Sequence, residues 1–491
     1  DMTPSELSFN LNLFVAQDSW PFQTVYNPTN CDNLGWGTIV KDSQVRVVPI
    51  PGDHISMIKG ANARTLVRAL EDVFLGRASV SASIESEKII STDIRNKPQK
   101  SPPSDFWECL MAAAIRAPSG NNMQTVRFEV DRLRNTVDFS FAPQSTQMSG
   151  LSWRLLDNCN AGAARECMKQ FLEDSSINFT WHSAQRGTNS IGRMNILMDQ
   201  PPDSAIFQAA LSSQLQRSSN RTPFRADPPH PGLLDELNSM CNIISCDNHH
   251  IRAKVLHDRA DMLTFRQFHK EVDTALAFTH ELRSSLFTMI HKGEESIGLD
   301  TKLLGMTRAY SGAVSALAEM SVRTASELQI GNQLGTYNDK LLGSSSGLIL
   351  FYYDKSILED FGSSLEAEER VNSMMSDIGA SMTGTHLHLT KLGQAASWNA
   401  LYSLLRVNNE LASQIPHRQS PKEFIQHSEV GDMTELKEMA KIAAFEPTGY
   451  DFFGYLRFGE PMLYPQQSEQ SQRLPMDTVV RWNDEKNINT R

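Results

Sequence analysis

The amino-acid sequence predicts an α+β protein whose main body is a two-lobed pseudo-dimer, and three observations predict it. Stretches of helical and strand period alternate from residue 105 onward. The order of helices and strands begins again after Gln200-Pro201-Pro202, with larger insertions. The chain ahead of this body is set off by residues 79–104, rich in serine, lysine and proline and ending KPQKSPPS, which read as a linker. Mixed elements of this kind bury their apolar faces by layering helices on sheets.

Each element follows from its own pattern. Before the linker, Val45–Ile50 is strand-like, and residues 63–74 carry Leu66, Val67, Leu70 and Val73 at helical spacing, so residues 1–78 form a unit of their own. The body opens with a helix. Phe106, Trp107, Leu110, Met111, Ala114 and Ile115 share one face, and Pro118 ends it. Residues 127–131 and Thr136–Phe141 are strands joined by a turn at 132–135, with Val137, Phe139 and Phe141 alternating. A helix near 161–172 and a strand near 193–199 complete a first lobe, 105–202. The second lobe, 203–483, offers a helix near 233–240, polar helices with long apolar faces over roughly 258–330, a strand at Gly347–Asp354, a helix near 378–392 and a last strand at 452–458. Residues 484–491 are a polar tail.

Composition narrows the function classes. At 491 residues and about 150 per domain, two or three domains are expected. Asp plus Glu number 57 against 46 Lys plus Arg, a net charge of −11, which argues against non-specific nucleic-acid binding. No run approaches the length of a membrane span, the longest apolar candidate being 347–353. No signal peptide is visible, and six cysteines (31, 109, 159, 167, 241 and 246) are too few for a disulfide scaffold, so the expected location is cytoplasmic. The first residue is Asp1 rather than methionine, which reads as a processed, trimmed or partial chain.

The loop Ala117-Pro118-Ser119-Gly120-Asn121-Asn122-Met123-Gln124 is dense in small donors and acceptors. It suits a helix-to-strand turn, and it also suits the edge of a heterocycle. The segment AAAIRAPSGNNMQTVRFEV resembles the flavin-binding loop of the nitroreductase family, A-P-S-x-x-N-x-Q-P-W-x-F, with Ser119, Asn122, Gln124 and Phe128 on matching positions. Thr125 and Val126 stand where that pattern has Pro and Trp.

Arg217-Ser218-Ser219-Asn220-Arg221-Thr222-Pro223-Phe224 reads either as a solvated basic turn or as a phosphate clamp, its two arginines sharing one face if helical. It is similar to the R-R-T-N-R-x-P-F signature of the fused, two-lobed (Acg-like) branch of the same family, with Ser218 in place of one arginine. Weaker matches follow in order. They are HELRSSLF with GLDTKLLGM, the helix from Asp377 ending Leu392-Gly393-Gln394, the strand GYLRFGEP, and a closing stretch from Arg473 to Trp482. The resemblance spans about 105–483. It implies bound FMN with NAD(P)H as transient electron donor. Ser119, Asn122 and Gln124 would hold ribityl chain and ring edge, Arg217, Arg221 and Arg473 the phosphate, and the backbone at Gly393 and Gln394 would approach the ring.

Pro51-Gly52-Asp53-His54-Ile55-Ser56-Met57 follows the Val45–Ile50 strand. A lone loop histidine is ordinarily structural. Together with LGWGTIV and VRVVPI, however, this stretch resembles the C-terminal end of an α/β-hydrolase thioesterase domain of nonribosomal-peptide and polyketide synthases, with His54 on the catalytic-base position. No nucleophile elbow accompanies it, because the only G-x-S-x-G, Gly343 to Gly347, precedes a strand. Thioesterase activity from this chain alone is not expected. The resemblance implies an upstream megasynthase and a carrier-bound or released acyl or peptidyl substrate, and it leaves room for an oligomer. Cys241, Cys246, His249 and His250 make a poor zinc spacing, so no metal is expected. A flavin-sequestering protein and a non-catalytic docking partner of the thioesterase are the alternatives to an enzyme.

Overall fold

The computed structural model describes residues 11–16, 45–50, 60–74, 105–142, 151–183, 190–225, 227–279, 330–359, 364–406, 433–462 and 473–483, with short pieces at 283–284, 286–287, 289–291, 298–300, 320–321 and 324. His54 lies outside them. In the N-terminal part, strands β1 (Leu11–Ala16) and β2 (Val45–Ile50) pair in parallel. Helix α1 (Gly60–Phe74) follows β2, three residues longer at its start than the apolar pattern indicates.

Helix α2 (Phe106–Ile115) starts where Asp105 accepts a hydrogen bond from the Glu108 amide at 2.8 Å. Strands β3 (Val126–Asp131) and β4 (Thr136–Phe141) form the expected hairpin. Its turn is held by Asp131 Oδ1, which accepts from the amides of Leu133 and Arg134. Helix α3 (Leu151–Asp174), strands β5 (Asn178–Ser183) and β6 (Ser190–Leu197) and helix α4 (Ser204–Leu215) follow. After β7 (Phe224–Arg225) come α5 (Pro231–Asp247), β8 (Ile251–Leu256), α6 (Arg259–Phe278), the short β9 (Ile290–His291) and β10 (Leu299–Asp300), and α7 (Ile330–Gly343). Then follow β11 (Gly347–Asp354), α8 (Lys355–Glu359), α9 (Leu365–Lys391), β12 (Ala395–Asn399), α10 (Met433–Ala443), β13 (Tyr450–Pro461), α11 (Met476–Val479) and β14 (Val480–Asn483).

Two five-stranded sheets result. The first has the order β14-β3-β4-β6-β5, antiparallel except where β14 joins β3 in parallel. The second has the order β12-β13-β11-β8, with β7 also on β13. Its central strand β11 is buried along nearly its whole length. Ile349, Phe351 and Tyr353 face one core, while Leu348, Leu350 and Tyr352 face another under α6 and α10.

The lobe boundary differs from the expected 202/203. Helix α4 packs Phe207, Ala210 and Leu211 against Phe106 and Phe171 in the first core, and β14 returns from the far end of the chain to the first sheet. The first layer is therefore built from 105–215 and 473–483. Apolar faces assign an element to a core whatever its place in the sequence.

Helices α3 and α9 run side by side between the sheets and touch backbone to backbone. A Cβ on Gly162 would stand 1.7 Å from the Ser376 carbonyl oxygen, and one on Gly379 would stand 2.0 Å from that of Cys159. The contact is reciprocal, since 379 less 162 and 376 less 159 both give 217. Lys391 meets Asp174 at the same offset, 391 less 174 being 217, at 3.1 Å. A register kept over this length makes α3 and α9 parallel partners about an internal pseudo-two-fold axis. Exchange of apolar residues accompanies it, with Leu155 and Cys159 of α3 in the second core and Leu387 of α9 in the first.

Candidate functional site

The loop after α2 is tightly folded. Asn122 and Gln124 both adopt positive φ, 56° and 50°, a conformation that L-residues hold only when their surroundings fix it. The fixing bonds are present. Ser119 Oγ accepts from the Gln124 amide at 3.2 Å, Asn160 Oδ1 on α3 accepts from the Gly120 amide at 3.0 Å, and Gln124 Oε1 accepts from the Leu474 amide at 2.7 Å. Asn122 Oδ1 accepts from Arg473. The three predicted loop residues are thus brought together. The bonds they make here hold the loop and the 473–474 segment to each other, where the sequence reading had them facing a ligand.

The same contacts assemble a group of arginines. Arg217, 4 % exposed, donates through Nη2 to the Arg116 carbonyl at 2.5 Å, and Arg473 reaches that oxygen at 3.4 Å. Arg116 caps α2, so two guanidinium groups sit at a helix C-terminus, where the helix dipole favours positive charge. That satisfies only part of them. Arg116 Nε, Arg217 Nη1 and Arg473 Nε are buried without a hydrogen-bond partner. Arg221 lies in the same field, and Arg457 borders it. Arg457 donates to the carbonyls of Asn220 and Thr222 at 2.7 and 3.0 Å and stacks on Phe224. His386 on α9, 1 % exposed, has Nε2 at 3.1 Å from the Ser218 carbonyl, while its Nδ1 has no partner.

Among the described residues no carboxylate pairs with Arg116, Arg217, Arg221, Arg457 or Arg473. The charges therefore press on one another. Burial, then Arg116, Arg217 and Arg221, hold Arg473 well below its ordinary value. Burial and Arg217 bring Arg116 and Arg221 down to about 10. Burial, with Arg217 and Arg221 adding to it, holds the His386 imidazole well below its ordinary value. Cys167 on α3, whose carbonyl accepts from Gln214, sits near Arg217 and Arg473, yet burial raises its thiol to about 12. A buried set of unopposed guanidinium groups with free N–H donors is a site for a multiply charged anion, and phosphate matches the guanidinium fork.

The segment 217–221 is not helical, contrary to the one-face reading. It runs extended, with Ser219 bridged in parallel to Ala396 and the Asn220 amide donating to the Ala396 carbonyl at 3.0 Å. Pro223 and the pairing of Phe224 with Pro461 exclude a helix beyond it. Gly393, at φ 73°, ends α9. Its amide and that of Gln394 return to Thr390 and Leu389 at 3.0 and 2.9 Å, a left-handed helix stop. This stop turns the chain into β12 beside Ser219, and no hydrogen bond joins Gly393 or Gln394 to the arginines. Arg116, Arg457 and His386 were not picked out from sequence. Arg116 stands one residue before the APSGNN stretch and Arg457 inside GYLRFGEP, but neither pattern shows that they face one point.

Other sequence signals resolve simply. Gly343 ends α7 and Gly347 begins β11, a helix-to-strand order that is the reverse of a nucleophile elbow. Cys241 is buried and Cys246 exposed, and among the described residues no cluster could hold a metal ion. Among them, too, no helix is long and apolar enough to cross a membrane.

No family model matches the chain, and no curated protein sequence matches it. Solved structures that resemble it include nitroreductases. An FMN-dependent nitroreductase NfnB from Mycobacterium smegmatis in complex with NADPH is 14 % identical, with 56 % of this chain and 99 % of that one covered at a TM-score of 0.30. A nitroreductase with bound FMN from Desulfitobacterium hafniense is 13 % identical, with 56 % and 97 % covered at 0.25. A nitroreductase-like family protein from Bacillus cereus is 13 % identical, with 54 % and 91 % covered at 0.26. Likeness at this level leaves the chain's own residues to decide its chemistry.

Proposed function

We propose that this chain is an FMN-dependent oxidoreductase of the nitroreductase kind and that the arginine group holds the flavin phosphate. The carrying observation is the set of buried guanidinium groups, Arg217 foremost, with orphaned N–H donors and no carboxylate partner among the described residues. FMN and NADPH are the ligands named for the D. hafniense and M. smegmatis proteins, and both are extended to this chain as part of the proposal.

Bound there, the flavin would supply hydride or electron transfer. The chain's own residues would place and neutralise it. Arg217, Arg221 and Arg473, with Arg116 behind them, would meet the phosphate charge. Asn122 and Gln124 position the 473–474 segment through their hydrogen bonds, and Ser119 holds the loop that carries them. A finer proposal rests on the P-G-D-H-I-S-M resemblance alone: the substrate is an acyl or peptidyl product, carrier-bound or released, of a cytoplasmic assembly line. The direct test is to mix the full chain with FMN, remove unbound flavin and follow NADPH oxidation. Retained flavin absorbance with turnover is expected. Retained flavin without turnover would reduce the proposal to flavin sequestration, and a colourless protein would remove it.

A further inference from the structure

The pseudo-two-fold axis between α3 and α9 gives every position on one helix a counterpart 217 residues away on the other. The arginine side is flanked by Cys167 of α3 and His386 of α9. Their counterparts are Gly384 and Lys169, and these line a cavity of about 400 Å³ under α5, on the opposite side of the axis. The pseudo-two-fold axis thus sets this cavity opposite the arginine side.

The two sides differ in charge. Where α9 has Thr383, α3 has Glu166, whose carboxylate is 8 % exposed and lies on the cavity wall. Gly384 makes room for it, since a Cβ there would stand 3.1 Å from Glu166 Oε1. The internal partners of this carboxylate are weak, with Gln170 Nε2 at 3.1 Å and the half-exposed Lys169 ammonium at 3.6 Å. The wall's Arg165 and Lys391 are committed, Arg165 to Asp377 at 2.6 Å and Lys391 to Asp174 at 3.1 Å. Asp247 adds a further negative charge at the rim. Thr385, 1 % exposed and on the same wall, has its hydroxyl without a partner. Burial already holds the Glu166 carboxyl above its ordinary range, as expected of an acid lacking a full counter-ion.

We infer that this recess binds a small organic cation bearing an ammonium group, with Glu166 as its counter-ion and the Thr385 hydroxyl as an acceptor. Phosphate is excluded by the same carboxylate. The inference does not depend on the flavin proposal, because it uses only the recess under α5.

The test is calorimetric titration of the full chain with n-butylammonium chloride, and separately with sodium butyrate and inorganic phosphate. Saturable binding of butylammonium and none of butyrate is expected. Glu166→Gln keeps the Gln170 contact in shape and should weaken butylammonium binding at least about tenfold, the scale of a lost charge-assisted hydrogen bond. Lys169→Met removes the competing internal cation and should tighten it severalfold, which decides the matter if the glutamine variant folds poorly. No saturable heat with butylammonium, equal binding of butyrate, or indifference of affinity to both substitutions would overturn the inference.

Discussion

The two faces of the α3–α9 pair are related by the pseudo-two-fold axis and differ in how their charges are matched. On one side guanidinium groups crowd together with no carboxylate among the described residues, and on the other a buried glutamate has only a 3.6 Å ammonium contact. The difference teaches that an internal repeat conserves backbone geometry more strictly than chemistry. Gly162 and Gly379 keep the helices in contact at equivalent heights, while Cys167 and Gly384, or His386 and Lys169, have parted. Asp157 of α3 likewise faces a different fate from Met374 of α9, its counterpart, which is simply buried in an apolar core.

The strongest way to break the comparison is at the shared contact. Gly162→Ala and Gly379→Ala each push a methyl into a backbone carbonyl, and each should cost about 3 kcal/mol or more in unfolding free energy. Chemical denaturation should give similar losses for the two. A large loss at one position and none at the other would deny the two-fold relation.

Next in size is the acid that α9 lacks. Asp157 is 6 % exposed, and burial raises its carboxyl from 3.8 to about 7, against the opposing hydrogen bonds of Thr125 and Asn160. The unfolded chain ionises it near pH 4, the folded protein only near 7. Stability from this group is therefore complete below pH 4, falls between 4 and 7, and is level above, with a total of a few kcal/mol at about 1.4 kcal/mol per pH unit. Glu446, also raised to about 7 by burial, adds a slope of the same sign. Thermal melting of Asp157→Asn across this range should be distinctly flatter than that of the parent chain.

A smaller and more diagnostic effect belongs to Arg217. Arg217→Met takes one charge out of a self-repelling group, so the ligand-free chain should lose little stability or gain some, while FMN affinity should fall about tenfold to a hundredfold. Fluorescence titration and melting curves, read together, separate a ligand-holding arginine from a structural one, for which stability would drop and affinity would not.

Much of this was legible in sequence. Thr136–Phe141 and Gly347–Asp354 are assigned residue for residue because alternation and a continuous apolar run leave few options. The apolar pattern places the starts of α3 and α9 ten and thirteen residues late, since Asn158 and Glu368 to Arg370 dilute the apolar face there. β5 and β14 are not predicted because each is a short edge strand with only two apolar residues, Phe179 and Trp181 in one and Val480 and Trp482 in the other. At the site, the family-like motifs point to Arg217, Arg221 and Arg473, which lie in one field in the structure. They do not point to Arg116, Arg457 or His386, because convergence of residues hundreds of positions apart leaves no local pattern. Nor could spacing show that the amides of Asn122 and Gln124 bond to the 473–474 segment.

The central claim is that the arginine group is a phosphate cradle. It is tested most directly by comparing the affinities of the full chain for FMN and for riboflavin, which differ only in that phosphate. The account predicts FMN bound at least about a hundredfold more tightly, with inorganic phosphate competing, because at least two charge-assisted hydrogen bonds depend on it. Equal affinities, or binding of neither flavin, would contradict it.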